Sequence, residues 1–152
     1  MNQLRRAALE VFGRLPGPLR RIVVRILTPR YVLGAVLALR HGDEVLMLHS
    51  RHVRFGWTLP GGLMQSGESP RETLERELGE ELRLDIDLDA EATVVIVNPE
   101  ARRVDFVFEV HVAERPELRI DGLEVLEARW LPLASELCDD IAREALDRLA
   151  NR

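Results

Sequence analysis

The most informative stretch of this sequence is PGGLMQSGESPRETLERELGEELRL, residues 60–84. Ser69 and Glu72 have the spacing of a capping box, and Pro70 stands at the first helical position, so a helix is expected to begin here. Apolar residues then recur every four positions and predict the buried stripe of that helix, namely Leu74, Leu78 and Leu82. The stretch therefore predicts a loop followed by a helix over about residues 70–82.

The same helix carries three glutamates close together, Glu77, Glu80 and Glu81. Their spacing of i, i+3 and i+4 places the carboxylates on one helix face, where like charges repel. A solvated acidic face is the ordinary explanation. The alternative is a hard cation such as Mg²⁺, which binds carboxylate oxygens and keeps positions for water and phosphate. Gly61 and Gly62 favour the cation, because glycines after a strand let the backbone approach a ligand and offer a carbonyl.

This stretch resembles the Nudix box, whose pattern is Gly, five residues, Glu, seven residues, then Arg-Glu-apolar-x-Glu-Glu-x-Gly-apolar. Gly62 and Glu68 occupy the first two specified positions, and residues 76–84 continue the pattern in register. The one departure is Arg83, which stands where the family has glycine. Glycine there ends the helix, often in a left-handed conformation that arginine adopts at some cost, so we expect a modest shift of the helix end.

The resemblance implies a role for each motif residue. The three glutamates would be catalytic and would bind Mg²⁺, for which Mn²⁺ is a possible substitute, with glycine main chain assisting; these residues are Glu77, Glu80, Glu81, Gly61 and Gly62. Glu68 and Arg76 resemble the pair that ties the loop to the helix and supports the site, since an arginine fork holds a carboxylate by two bonds.

A general base comes, by the same resemblance, from the box or from a loop before the last strand. Glu124, six residues ahead of Trp130, is the first choice for that loop and Glu127 the second. Either is equally well explained as a plain surface residue. Asp105 and Glu109 project from a predicted strand and are expected to be solvated.

Substrate contacts are expected outside the motif. Phe55 or Trp57 would stack on a base, although Trp57 is equally well explained as a core residue. Pro99 falls 15 residues after Leu84, a spacing that resembles family members that cleave ADP-ribose. Arginines near the motif are expected to hold phosphates, namely Arg51, Arg54, Arg102 and Arg103.

The implied reaction is attack of water on a phosphorus of a nucleoside diphosphate linked to another moiety, such as ADP-ribose or another NDP-sugar. Magnesium would neutralise the diphosphate and activate the water. Three alternatives stay open. They are a nucleoside-triphosphate sanitising pyrophosphatase, an RNA 5′-end pyrophosphohydrolase, and a non-catalytic Nudix-fold sensor that binds nucleotides.

Outside the motif, apolar patterning predicts strands. Residues 32–39 form a run typical of a strand buried on both faces, and residues 104–112 alternate as in a half-buried strand. Further strands are predicted at 45–48, 57–59, 93–97 and 128–130, and closing helices at 133–138 and 140–149. This order indicates an α/β fold. The resemblance implies the Nudix fold, a mixed β-sheet sandwiched between helices, here with an N-terminal helical arm.

The first 30 residues differ in charge from the rest of the chain. They carry seven arginines and one acid, Glu10, whereas the whole chain has a net charge of −5. Two short amphipathic helices are predicted, whose apolar stripe packs on the same domain or on a partner subunit in a homodimer. The alternative is contact with an anionic membrane or RNA. We predict a basic helical arm over residues 1–30 and a Nudix hydrolase domain over residues 31–152.

Composition narrows the class of protein. No apolar run approaches the roughly 20 residues that span a bilayer, and no signal-peptide pattern is visible. Cys138 is the single cysteine, which fits a reducing compartment, so a cytoplasmic location is expected. The acidic remainder of the chain is a poor surface for duplex nucleic acid and suits divalent cations.

Overall fold

The computed structural model describes residues 12–51, 56–89, 91–120, 122–133 and 138–152. By contact density the chain divides into two compact units, Met1–Arg30 and Tyr31–Arg152. Each unit is therefore described by itself below.

In the first unit, helix α1 spans Gly17–Leu27 and begins after Pro16. None of its residues is buried, and the apolar side chains of Ile22 and Ile26 are well exposed. The earlier helix predicted in this arm lies mostly outside the described residues, apart from a helical segment at 12–14. Within the described ranges no helix is both long enough and apolar enough to cross a membrane.

The second unit is built on a six-stranded mixed sheet. Its strands are β1 Val32–His41, β2 Glu44–Ser50, β3 Gly61–Leu63, β4 Val94–Asn98, β5 Arg103–His111 and β6 Val125–Pro132. Its helices are α2 Pro70–Leu82 and α3 Asp140–Ala150. The long strand β1 is central because it pairs in parallel with β5 along one edge and antiparallel with β2 and β3 along the other.

Each face of the sheet is covered by one helix. Alternate residues of β1 point to opposite faces, so Leu37 enters one core and Ala38 the other. The first core contains the predicted leucine stripe of α2, and the second contains Ala142, Leu146 and other apolar residues of α3. The predicted fold, a mixed sheet sandwiched between helices, is thus confirmed.

Helix α2 begins and ends at the predicted residues. The Ser69 hydroxyl accepts a hydrogen bond from the Glu72 amide, and the Glu72 carboxylate accepts one from the Ser69 amide, which completes the capping box. At the other end Arg83 takes the left-handed conformation, with φ 53° and ψ 34°. The expected shift of the helix end is wrong, because Arg83 adopts the backbone geometry that glycine would favour.

Two other segments differ from the prediction. Gly61 and Gly62 were expected to follow a strand at residues 57–59, but they lie inside β3, and residues 57 and 58 form only isolated bridges. The short strand is shifted because the glycines themselves pair with β1. The helix predicted at 133–138 falls largely outside the described residues, and Cys138 forms a bridge with Trp57.

Candidate active site

A cavity of about 600 Å³ opens between β3, α2, the start of β5 and the loop before β6. This volume is typical of small-molecule sites. Six of the predicted site residues line it, although they come from distant parts of the chain. The described residues of the lining are Ser50, Thr58, Leu59, Gly61, Gly62, Leu63, Glu77, Glu81, Arg103, Glu124, Asp139 and Ile141.

The two glycines of β3 serve different contacts. A Cβ at position 62 would overlap the carboxylate of Glu77, so Gly62 lets that carboxylate rest against the strand backbone. Gly61 has a φ of 137°, and a Cβ there would overlap the carbonyl oxygen of Ala35 in β1. Gly61 therefore allows close pairing of β3 with β1, and Gly62 provides the seat of Glu77.

Four charged residues form what we call the helix-side cluster: Glu68, Arg76, Glu77 and Glu80. Arg76 donates two hydrogen bonds to Glu68, from Nε to Oε1 at 2.7 Å and from Nη2 to Oε2 at 3.1 Å. Its Nη1 donates to Glu77 Oε1 at 2.8 Å and to Glu80 Oε2 at 3.4 Å. One guanidinium thus contacts three carboxylates, one from the loop and two from α2.

The contacts of the helix-side cluster favour its charged form. Hydrogen bonds from the Arg76 side chain, and next from the Gln65 amide, lower the pKa of Glu68 from 4.5 to about 2. The bond to Glu68 also raises the pKa of Arg76 above its ordinary value. Glu68 is therefore ionised at neutral pH and holds the arginine in place for Glu77.

The three glutamates of α2 have different surroundings. Glu81 is buried and lines the cavity together with Glu77, whose side chain is 14% exposed. The side chain of Glu80 is 64% exposed and lies outside the cavity lining, against Arg76. Glu77 and Glu81 are one helical turn apart and nearly aligned, whereas Glu80 is rotated towards solvent.

Glu124 reaches the cavity because its loop is tied to the end of β2. The main-chain carbonyl of Glu124 accepts hydrogen bonds from the Ser50 hydroxyl at 3.2 Å and from the Arg51 amide at 2.9 Å. The Arg51 side chain donates from Nε to the carbonyl of Leu123 at 2.7 Å. Arg51, predicted as a phosphate contact, therefore holds the Glu124 loop instead of lining the cavity.

Two residues of β5 form what we call the strand-side pair: Arg103 and Asp105. Arg103 Nε donates to both carboxylate oxygens of Asp105 at 2.8 Å, and Nη2 lies 2.7 Å from Oδ1. The side chain of Asp105 is only 3% exposed, whereas that of Arg103 is 29% exposed and lines the cavity. The pair thus has a buried carboxylate and an arginine that faces the cavity.

The expectation that Asp105 and Glu109 are solvated is wrong. Asp105 is buried, and Glu109 accepts a hydrogen bond from Arg40 Nη1 at 2.8 Å with its side chain only 18% exposed. The reason is that β5 is an inner strand, paired with β1 on one side and β4 on the other. Alternation along the sequence suggested one open face, but both faces of the sheet are covered.

The other predicted substrate and base residues that the structure describes lie outside the cavity lining. Trp57 contacts the ring of His49, with 5.8 Å between centroids, and lies under the guanidinium of Arg129. Arg102 is exposed in the turn before β5, and Glu127 in β6 pairs with Arg129. The remaining two, Arg54 and Phe55, fall outside the described residues.

Asp139 lines the cavity and was missed in the sequence. Its side chain accepts a hydrogen bond from the Ala142 amide at 2.7 Å and caps α3, a role that an aspartate before a helix signals. Its amide donates to the carbonyl of Trp57 at 2.8 Å, which brings the start of α3 to the cavity. No sequence pattern predicts the long-range contact between Asp139 and Trp57.

The oxygen atoms along the cavity suit a hard divalent cation. They include the carboxylates of Glu77 and Glu81 beside the main chain of Gly61 and Gly62, and the Gly62 seat holds Glu77 at the strand. Within the described ranges, no three His, Cys, Asp or Glu side chains converge as a metal-binding group. A cation in this cavity would therefore share Glu77 with Arg76, which already bonds to it.

The sequence also matches a known protein family. The family model of the NUDIX domain matches residues 28–149, most of the chain, so this chain belongs to the NUDIX family. It is accordingly a Nudix-type pyrophosphohydrolase. Hydrolases of this family act on nucleotide-linked substrates and generally need a divalent metal. The resemblance of residues 62–84 to the Nudix box is confirmed. Among curated proteins, no sequence matches this chain.

Solved structures share the fold at low sequence identity. The MutT NUDIX hydrolase from Burkholderia pseudomallei is 21% identical, with a TM-score of 0.68, over 79% of this chain and 98% of that one. The dihydroneopterin triphosphate pyrophosphohydrolase from E. coli is 19% identical, with a TM-score of 0.64, over 81% and 99%. A bifunctional NMN adenylyltransferase/ADP ribose pyrophosphatase from Francisella tularensis, complexed with AMP and a Mn ion, is 17% identical, with a TM-score of 0.68, over 88% and 45%.

Proposed function

We propose that this protein hydrolyses the diphosphate linkage of a nucleoside diphosphate joined to another moiety, such as ADP-ribose or another NDP-sugar. The observation that carries the proposal is one cavity lined by two carboxylates of α2, the glycines of β3, the Glu124 loop and Arg103. Acidic side chains for a cation and an arginine for a phosphate are the two elements that hydrolysis of a diphosphate requires.

We propose that Glu77 and Glu81 are the principal metal ligands, with Gly61 or Gly62 main chain assisting, and that Glu80 contributes from the solvent side of α2. Mg²⁺, or Mn²⁺ in its place, would neutralise the diphosphate and lower the pKa of the attacking water. The helix-side cluster supports this set, because Arg76 holds Glu77 through a bond of 2.8 Å and is itself held by Glu68.

We propose Glu124 as the general base. It lines the cavity with Glu77 and Glu81, whereas Glu127 pairs with Arg129 on β6. Water attacks one phosphorus, its proton passes to the carboxylate, and the bond from that phosphorus to the bridging oxygen breaks. The products are a nucleotide and the phosphate of the other moiety.

The size of the cavity favours a substrate larger than a diphosphate alone. A volume of about 600 Å³ accommodates a nucleotide-sized ligand. Pro99 has the spacing noted above, and one structural neighbour carries the name ADP ribose pyrophosphatase. Together these support the choice of an NDP-sugar. A different neighbour is named for a triphosphate substrate, so a nucleoside triphosphate is the second candidate.

A substrate panel with product identification by phosphorus NMR tests the reaction. In Mg²⁺ and in Mn²⁺ we expect an NDP-sugar to give a nucleoside monophosphate and a sugar phosphate. Release of pyrophosphate from a nucleoside triphosphate would favour the sanitising enzyme, and cleavage of capped or triphosphorylated RNA the RNA enzyme. Tight calorimetric binding without turnover would indicate the nucleotide sensor instead.

The metal ligands are tested by Glu77→Gln and Glu81→Gln. Each variant should retain the fold and lose turnover by orders of magnitude, because a neutral amide is a poor ligand for a hard cation. The matched control is Glu75→Gln on the same helix, whose side chain is exposed and pairs with Arg71. Full activity in both cavity variants would contradict the assignment.

We further propose that residues 31–152 form the catalytic domain and that the arm, residues 1–30, contacts a partner. The apolar stripe of α1, which includes Ile22 and Ile26, is expected from the sequence to pack on the same domain or on a partner subunit, and a second copy of the chain is the partner we propose. Light scattering of full-length Ile22→Glu and Ile26→Glu variants tests it: monomeric variants of a dimeric wild type support the idea. A monomeric wild type that binds anionic vesicles or RNA would contradict the dimer and would favour the membrane or RNA as the partner of the arm.

A further inference from the structure

Arg103 is a positively charged residue in a cavity whose other charged lining residues are acidic. Among the described residues that line the cavity, four carry carboxylates, Glu77, Glu81, Glu124 and Asp139, whereas Arg103 alone carries a positive charge. A diphosphate has to be held against the repulsion of these carboxylates. Arg103 is therefore the one side chain among the described lining residues that attracts a phosphate group by its charge.

Asp105 determines the orientation of the Arg103 guanidinium. Both carboxylate oxygens of Asp105 accept a hydrogen bond from Arg103 Nε, and Oδ1 also lies 2.7 Å from Nη2. Three short contacts of 2.7–2.8 Å thus hold the guanidinium plane. Arginine has five N–H donors in a fixed fork, and this geometry leaves donors for a second acceptor. The contacts of Arg103 with Asp105 use Nε and Nη2 and do not use Nη1.

Gly34 of β1 makes room for the strand-side pair. Gly34 lies opposite Asp105 in the parallel register of β1 and β5. A Cβ on Gly34 would lie 2.6 Å from Asp105 Oδ1, 3.1 Å from Arg103 Nη2 and 3.3 Å from the carbonyl oxygen of Gly62. The guanidinium is thus close to the strand on which the Glu77 carboxylate rests.

Burial separates the roles of the two residues. Asp105 is almost fully enclosed and does not line the cavity of Glu77 and Glu81, although it borders a smaller neighbouring cavity of about 350 Å³, whereas Arg103 is partly exposed and lines both. We propose that Asp105 is a positioning residue, which holds Arg103 so that it binds a phosphate group of the diphosphate. This inference rests on the proposed function, since it places the substrate phosphate in the same cavity.

Calorimetric titration of the full-length protein with imidodiphosphate in Mg²⁺ tests the inference without turnover. Asp105→Asn keeps the shape but loses the charge, and Arg103→Lys keeps a positive charge beside Asp105 but loses the fork. We expect each variant to raise Kd about tenfold, the usual effect of a supporting residue. The double variant should raise Kd no further than the larger single change, because both remove the same oriented guanidinium.

The matched control is Glu109→Gln, which breaks the other arginine–carboxylate pair of β5, with Arg40, and should leave Kd unchanged. The inference is overturned if Asp105→Asn binds as tightly as the wild type, if the two single effects add, or if Glu109→Gln weakens binding equally. A wild type that does not bind imidodiphosphate overturns it as well. Coupled Kd values without hydrolysis of any nucleotide substrate would reject the proposed function alone.

Discussion

The helix-side cluster and the strand-side pair both place a fixed arginine–carboxylate contact beside the same cavity. In each, an arginine is held by a carboxylate through two or more short bonds, and a glycine leaves the space that a side chain needs. Gly62 makes room for Glu77, and Gly34 makes room for Asp105. The two regions differ in burial, since the Glu68 side chain is 19% exposed and that of Asp105 only 3%.

This difference teaches how each arrangement is encoded. Glu68 and Arg76 lie eight residues apart in one loop and helix, so local geometry alone brings them together. Arg103 and Asp105 are also near in sequence, but their place in the cavity depends on the pairing of β5 with β1. The Glu68–Arg76 pair can therefore be predicted from a sequence motif, whereas the position of the Arg103–Asp105 pair depends on the assembled sheet.

The largest expected effect contrasts the two glycines. Gly62→Ala should displace the Glu77 carboxylate and lower kcat about 100-fold, because a shift of about 1 Å at a reacting group has that cost. Gly34→Ala should disturb the strand-side pair and raise KM about tenfold with a smaller change in kcat. Steady-state kinetics on the best substrate of the panel separates the two effects.

Circular dichroism and urea unfolding serve as the control for both alanine variants. Both should remain folded because the atom nearest to each added methyl is the end of a side chain, with the Gly62 carbonyl oxygen as the nearest backbone atom, at 3.3 Å, on the Gly34 side. Equal changes of kcat and KM in the two variants would remove the functional distinction between the two sides of the cavity.

A smaller effect concerns acid stability on the helix side. The pKa of Glu68 is lowered from 4.5 to about 2, so its ionised form stabilises the folded state fully above pH 4.5. That contribution is lost as the pH falls through this range towards 2. The free energy of unfolding of wild type should therefore exceed that of Glu68→Gln at neutral pH, and the difference should shrink between pH 4.5 and 2. Urea titrations at several pH values measure it, and a constant difference would show that Glu68 does not act through its charge.

The smallest effect compares one arginine beside each region. Arg83 ends α2 with φ 53°, and Arg102 precedes the strand-side pair with φ 49°. Because left-handed backbone costs a residue with a Cβ about 1 kcal/mol, Arg83→Gly and Arg102→Gly should each stabilise the fold by up to that amount. Urea unfolding measures the gain. The bond from Arg83 Nη1 to the Gly79 carbonyl reduces it at position 83, so a larger gain there than at 102 would contradict this account.

Much of the helix side was predictable because its determinants are local. The bounds of α2, its capping box and its leucine stripe are short-range patterns, and the structure confirms them. The spacing of i, i+3 and i+4 did not reveal that packing turns Glu77 and Glu81 inward and leaves Glu80 exposed. Asp105 was expected in solvent because alternation along β5 does not tell whether a face is covered.

The sequence by itself determined the family, because the motif of residues 62–84 is a continuous pattern. It also determined the helix that carries the glutamates and the loop arginine–carboxylate pair, because both depend on contacts between residues that are near in sequence. Tertiary structure decided which glutamates reach the cavity, that Glu124 and Asp139 join them, and that Arg103 faces them with Asp105 buried behind it. These features arise from the register of β1 with β3 and β5 and from the cover of both sheet faces. Such long-range pairing is fixed by the packing of the whole domain and leaves no short pattern along the chain.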